Sequence, residues 1–227
     1  MSEPFENFDF RETGFSDIAA TYLEALLAAD RIKAQQIITA ALVHGLSIRD
    51  LYLGVFQPVQ HEVGRLWLLN KVTVAEEHFC TAATQTIMSD LYPQIISSTR
   101  IGRTLVATCV GSELHEIGVR MVADFFEMEG WDTYYIGAGI PHDQIMSAID
   151  KQKPDLVALS ATMTYHIPKV QELISEIKNR FSDAVPRIMV GGMPFNNSPE
   201  LWRTVGADLW AADAEKAVEA ARRITSA

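Results

Sequence analysis

Residues 104–126 read TLVATCVGSELHEIGVRMVADFF. The stretch opens on a short apolar run rich in strand-favouring residues, Thr104 to Val110. It closes on an amphipathic one, with Val119, Val122, Phe125 and Phe126 at helical spacing. A strand, a loop and a helix in that order are the start of a βαβ unit. The alternation then recurs: WDTYYIG (131–137) before PHDQIMSAIDK (141–151), DLVALS (155–160) before VQELISEIKNRF (170–181), RIMVGG (187–192) before PELWRTVG (199–206), and DLW (208–210) before AEKAVEAARRI (214–224). Five strands alternating with helices predict a Rossmann-like parallel open sheet with flanking helices over residues 104–227. In such sheets the loops after the strands share one edge, and that edge binds ligands.

Upstream the period is helical. Ser16 can cap a helix carrying Ile18, Tyr22, Leu26 and Leu27, and Asp30 a second one through Ile37, Ile38 and Leu42. Ser47 with Asp50, and Thr73 with Glu76, form capping-box patterns opening a third helix to about Leu69 and a fourth toward Tyr92-Pro93. Pro58 falls inside the third and should kink it. Four helices with short connections predict an N-terminal four-helix bundle cap over residues 15–96. A polar segment (1–14) precedes it, and the linker SSTRIGR (97–103) follows it. The expected class is therefore α + α/β.

A formal charge of −10 argues against direct nucleic-acid binding, which needs clustered cations. No apolar run reaches the length of a membrane span, and the acidic start MSEPFENFDF lacks the order of a signal peptide. Cys80 and Cys109 form no CxxC pair, which suits packed thiols in a reducing cytoplasm. A cytoplasmic protein without a membrane anchor is expected.

The chemistry gathers after the first strand, in Glu113-Leu-His115-Glu-Ile-Gly118. His115 can point off the sheet edge toward a ligand. Glu113, two residues away, can accept its other ring N–H and so fix the tautomer for metal binding. Gly118 permits close approach of a flat ligand or a tight helix start. A general acid–base pair would look the same in isolation. Ser160-Ala-Thr162 follows the third strand and Gly191-Gly192 the fourth; 41 residues separate Gly118 from Ser160 and 28 separate Thr162 from Gly191.

This set resembles the cobalamin-binding fingerprint Asp-x-His-x-x-Gly, Ser-x-Leu, Gly-Gly, shared by methionine synthase, corrinoid proteins and some mutases. The resemblance implies bound cobalamin in the base-off/His-on mode, with His115 as the lower cobalt ligand and Glu113 as its hydrogen-bond partner. It implies that Ser160 or Thr162 offers a hydroxyl to the buried benzimidazole, and that Gly191 and Gly192 leave room for the nucleotide loop. Glu113 replaces the family's Asp and is one methylene longer. Thr162 replaces its Leu.

In the helical half, Trp67 is followed after nine residues by Glu77-His78, and Val74 lies in the same hairpin. This resembles the cap motif of B12-dependent photoreceptors of the CarH/LitR type, in which such residues cover the upper face of adenosylcobalamin. Leu68 stands where some of those relatives carry a second His. The chain starts almost directly at the bundle, without their DNA-binding domain. The resemblance implies a stand-alone light sensor holding adenosylcobalamin, not itself an enzyme. It would act by altered self-association, as a possible homo-oligomer, or by contact with a separate signalling or regulatory protein. Short relatives also carry a bilin as a second chromophore. The alternative is a corrinoid carrier that shuttles a methyl group between methyltransferases, for which an apolar cap is expected.

Smaller expectations accompany these. His142 and His166 follow strands and could sit at the cofactor edge, though loop placement favours solvent exposure; one of Tyr134 and Tyr135 should be core, and His61 should be structural. Met163, Tyr165 and Met193 should wall the nucleotide slot.

Overall fold

The computed structural model describes residues 15–97, 99–182, 184–198 and 200–225. The polar segment 1–14 lies outside them. The chain divides into two compact units, Met1–Gln94 and Ile95–Ala227.

The first unit is helical: α1 (Ser16–Leu27), α2 (Arg31–Val43), α3 (Ile48–Leu51), a π-helical turn (Tyr52–Phe56), α4 (Gln57–Leu68) and α5 (Val74–Ile95). Asp30 caps α2 by accepting from the Lys33 N–H at 2.9 Å. Ser47 with Asp50 and Thr73 with Glu76 form reciprocal capping boxes. Ser16 differs: it is the first residue of α1, and Phe15 occupies the cap position. At Pro58 the predicted kink takes the form of the π turn. A proline lacks an N–H and its ring presses on the carbonyl four residues back. Widening the preceding turn, where Gln57 N–H reaches the Tyr52 carbonyl, accommodates it without ending the helix. Tyr22, Tyr52 and Phe56 fill the unit's interior, with ring centroids 5.6 and 5.4 Å apart along the series Tyr22–Phe56–Tyr52.

The second unit contains β1 (Thr104–Cys109), α6 (Ile117–Met128), β2 (Asp132–Gly137), α7 (His142–Gln152), β3 (Leu156–Ser160), a 3-10 turn (Thr164–His166), α8 (Ile167–Arg180), β4 (Arg187–Gly191), α9 (Met193–Asn197), α10 (Leu201–Thr204), β5 (Leu209–Trp210) and α11 (Ala214–Thr225). All strand pairs are parallel, in the order β2-β1-β3-β4-β5. Strand residues alternate faces. Val106, Val157, Leu159, Ile188 and Val190 share a core with Ile145 and Met146 of α7 and Leu173, Ile174 and Ile177 of α8. The other face is covered too, so β3 is buried along its whole length.

Three local expectations need correcting. The short α9 was not anticipated. Neither Tyr134 nor Tyr135 is core, because β2 is an edge strand: Tyr134 is exposed and Tyr135 half-buried. His61 is exposed on α4, not core, although desolvation still lowers its pKa. Arg100 and Arg103 of the linker are held by the second unit. Arg100 donates to Glu127 Oε2 and to the Trp131 carbonyl, both at 2.7 Å, and Arg103 to Asp155 Oδ1 at 2.6 Å. No helix among the described residues is long and apolar enough to cross a membrane.

Gly192 shows why the β4 edge requires glycine. Its φ is +105°, and a Cβ there would lie 2.1 Å from the Ala161 carbonyl oxygen. Gly192→Ala is therefore expected to cost about 2–4 kcal/mol through backbone strain and the clash. Gly191→Ala, whose Cβ would lie 3.2 Å from the Ala211 oxygen, should cost much less. Urea midpoints of the two variants check the contrast.

Candidate cofactor site

The register of the sheet assembles the site. Ser160 closes β3 and pairs with Cys109 on one side and Gly191 on the other, so the ends of β1, β3 and β4 lie level. The loops that follow carry Glu113 and His115 after β1, Thr162 after β3, and Gly192 after β4. The structure thus brings six of the expected residues, Glu113, His115, Ser160, Thr162, Gly191 and Gly192, to one edge. Gly118 is the second residue of α6, where a Cβ would meet nothing of the chain within 4 Å. Its open side is available to a ligand.

Glu113 is the organising group. It is buried. Its Oε1 accepts the backbone N–H groups of Leu114 and His115, each at 3.1 Å, and a short hydrogen bond from His115 Nδ1. Its Oε2 accepts the N–H groups of Thr162 at 2.8 Å and Met163 at 3.1 Å, and faces His166 Nδ1 at 3.2 Å. Burial by itself raises a carboxyl pKa. Here the donors from His115 and Thr162 and the charge of His115 outweigh it and hold Glu113 far below the ordinary carboxylate range. An ionised carboxylate can only accept, so His115 carries a hydrogen on Nδ1, and in the neutral form of the ring the lone pair falls to Nε2. The His115 side chain remains 46% exposed. A metal ligand needs this combination: one nitrogen fixed from behind and the ring accessible in front.

Thr162 has a task within the chain itself. Its backbone N–H donates to Glu113. Gly192 is required by the chain's own close packing, whereas a Cβ on Gly191 would meet only the Ala211 oxygen at 3.2 Å. His166 corrects a prediction outright: it is 1% exposed, not solvent-facing, because Glu113 and Ser112 supply polar partners inside the loop cluster. His142 Nε2 lies 2.7 Å from Glu176 Oε2. Leu114, Tyr165 and Met193 leave exposed apolar surface on the same three loops.

In the helical unit, Trp67 lies in the last turn of α4 and Val74, Glu77 and His78 in the first turns of α5. Trp67 and Glu77 are half-buried, Val74 and His78 exposed. Glu77 Oε2 pairs with His78 Nδ1 at 2.5 Å, and Glu77 Oε1 accepts from Thr81 Oγ1 at 3.1 Å. Thr81 continues to Gln60, Gln60 to Thr84, and Thr84 to the buried Tyr22 hydroxyl.

Residues 103–222 match the B12 binding domain family, and residues 18–92 match a second B12 binding domain family. The chain belongs to the B12-binding family. This B12-binding protein is 26% identical over 167 residues to dimethylamine corrinoid protein 3 of Methanosarcina mazei, covering 73% of this chain and 96% of that one. It is 27% identical over 221 residues to trimethylamine corrinoid protein 2 of Methanosarcina acetivorans, covering 94% and 98%. Its fold matches that of the monomethylamine corrinoid protein of Methanosarcina barkeri with a TM-score of 0.81 at 18% identity, over 92% of this chain and 99% of that one.

These similarities correct the light-sensor expectation. They run through both units, cap included, and they lead to corrinoid proteins named for methylated amines, not to CarH/LitR photoreceptors. The Trp67…Glu77-His78 spacing is thus not a mark of light sensing. A bulky aromatic and a carboxylate at a helical hairpin restrict what fits beside them without specifying what that ligand does.

The residues present fit a corrinoid. One accessible imidazole, backed by a buried carboxylate on its other nitrogen, could supply the single protein ligand that a macrocycle-borne metal needs. The apolar loop residues and the open side of Gly118 suit a broad, flat partner.

Proposed function

We propose that this protein is a corrinoid carrier, holding cobalamin for methyl transfer between separate methyltransferases and catalysing no reaction alone. The observation that carries the reading is His115, with Nδ1–H bound to a buried carboxylate at the ligand edge of a B12-binding fold. The chain-long similarity to methylamine corrinoid proteins supports it. When bound, cobalamin supplies a cobalt atom able to accept and release a methyl group.

The chain's own residues then have defined tasks. His115 would hold the cobalt through Nε2. Glu113 keeps the proton on Nδ1. Ser160 and Thr162 offer polar groups to the nucleotide tail, while Gly191 and Gly192 keep its path narrow but clear. Residues 15–96, which carry Trp67, Val74, Glu77 and His78, would serve as the cap, and residues 104–227 as the cofactor domain. The cobalamin form in this reading is the methyl one rather than the adenosyl one. A covalently attached bilin has no support. Cys80 and Cys109 are buried, and desolvation followed by nearby carboxylates pushes both thiols up to about 12, so neither offers a thiolate. Buried free thiols also suit a cytoplasmic setting. The partners are methyltransferases, and the relatives' names point to methylated amines as the donor class.

The test is methyl exchange. Protein loaded with reduced cobalamin is incubated with a monomethylamine, dimethylamine or trimethylamine methyltransferase and its substrate, in the dark and in light. Appearance of the methylcobalamin spectrum in the dark, dependent on the methyltransferase and its substrate, supports the carrier. Light only destroys the product, by cleaving its cobalt–carbon bond. Tight cobalamin binding with no methyl exchange in any of the three pairings would remove it.

A further inference from the structure

His166 is a buried ionisable group beside the site that the carrier reading leaves unused. It closes the 3-10 turn before α8 and is 1% exposed. Its Nδ1 lies 3.2 Å from Glu113 Oε2 and its Nε2 3.3 Å from Ser112 Oγ. Tyr165 meets the ring edge-on, with centroids 4.3 Å apart. A nitrogen facing an ionised carboxylate donates, so Nδ1 carries a hydrogen, while Nε2 shares a hydrogen bond with the Ser112 hydroxyl. Ser112 and Glu113 are neighbours in the loop after β1. The ring therefore ties that loop, at two adjacent residues, to the start of α8. The loop also closes tightly over it: a Cβ on Gly111 would lie 3.1 Å from His166 Cδ2.

The geometry points to His166 as a positioning residue for the lower ligand, an inference that rests on the axial-ligand reading of His115. The carboxylate bridges two imidazoles, taking His115 on Oε1 and His166 on Oε2. A glutamate has one more torsion than an aspartate, so more is needed to hold its plane. The N–H groups of Thr162 and Met163 hold Oε2 together with the ring of His166. With that oxygen fixed, Oε1 must face His115 Nδ1, and the orientation of His115 toward cobalt follows. His166 acts through Glu113 and touches no cofactor atom in this account.

The test uses the full chain loaded with cobalamin and reduced to the Co(II) state. Electron paramagnetic resonance then reads the splitting from a single axial nitrogen, and a titration reads the cobalamin Kd. His166→Leu fills the space without a donor, whereas His166→Asn keeps a donor near the position of Nδ1. The Leu variant is expected to bind about tenfold more weakly, the lower end of what lost outer-shell partners cost. It should also lose the uniform nitrogen splitting in part of its signal. The Asn variant should restore both values. Wild-type values in the Leu variant, or equal impairment in both, would overturn the inference while leaving the carrier reading standing. Failure of both variants to fold would do the same, making the ring purely structural. Absence of nitrogen splitting in the unmodified protein would remove the axial reading of His115, and this inference with it.

Discussion

His115→Ala is expected to yield a folded protein that has lost its cobalt–nitrogen bond. The side chain is 46% exposed, so its truncation removes little packing. Glu113 keeps its donors from Thr162, Met163 and the backbone of its own loop, so the stability cost should be on the order of 1 kcal/mol. The effect on the cofactor is of another order. Loss of an outer-shell partner typically costs about 10–100-fold in metal affinity. Loss of the ligand itself should exceed that range and abolish the axial-nitrogen splitting. Cobalamin titration followed by absorption spectroscopy checks both parts. An unchanged bound spectrum in the variant would remove His115 from the cobalt.

The second large effect is expected at Glu113. Glu113→Ala orphans the N–H groups of Thr162 and Met163 and the Nδ1–H of the buried His166, and it releases His115 from its tautomer. Breaking a buried charged network costs about 3–5 kcal/mol, which for a domain of this size is a large part of total stability. Glu113→Gln separates charge from shape, since an amide fits the space but presents a donor group to donors. It should fold better than the alanine variant while still losing the uniform nitrogen splitting at Co(II). Acid should mimic these changes in the cofactor-free protein. The folded pKa of Glu113 is depressed, so its contribution is fully present above the ordinary value of about 4.3. It is then lost as pH falls below that value toward the depressed one. A urea midpoint that fell less steeply with acid in Glu113→Gln than in the parent would assign that loss to this group. Equal acid sensitivity in the two proteins would place it elsewhere.

Much of the architecture was legible because it rests on local periodicity. The alternation beginning at Thr104 marks all five strands, even β5 with two residues, since DLW stands between turn residues and an amphipathic helix. The capping boxes at Ser47 and Thr73 were legible for the same reason, each being a pattern four residues long. His115 with Glu113 was legible because their spacing is also local. What escaped depends on distance along the chain. The partners of Glu113 at Thr162, Met163 and His166 lie on the loop of another strand, and no short pattern announces them. Sequence placed His166 in a loop and hence in water. Burial followed from Glu113 and Ser112, whose positions only the sheet register reveals. The edge position of β2, which leaves Tyr134 exposed, is likewise a property of strand order. The Trp67…Glu77-His78 spacing misled for a different reason. It constrains the shape and polarity of a surface, and several functions can share such a surface.

The β1–β3 connection through Glu113 also bears on when the site comes into being during synthesis. The segment containing Glu113, His115 and Gly118 is complete long before Thr162, Met163 and His166 leave the ribosome. Until β3 docks beside β1 in register, the N–H groups that hold Oε2 are not in place, and the imidazole has no settled tautomer. A peptide spanning residues 104–126 would carry the whole local motif and still lack the rear support of its histidine. Cobalamin capture is thereby deferred until the centre of the sheet has formed. The cofactor then binds the folded chain in preference to its fragments, and by mass action it stabilises the topology that created its site.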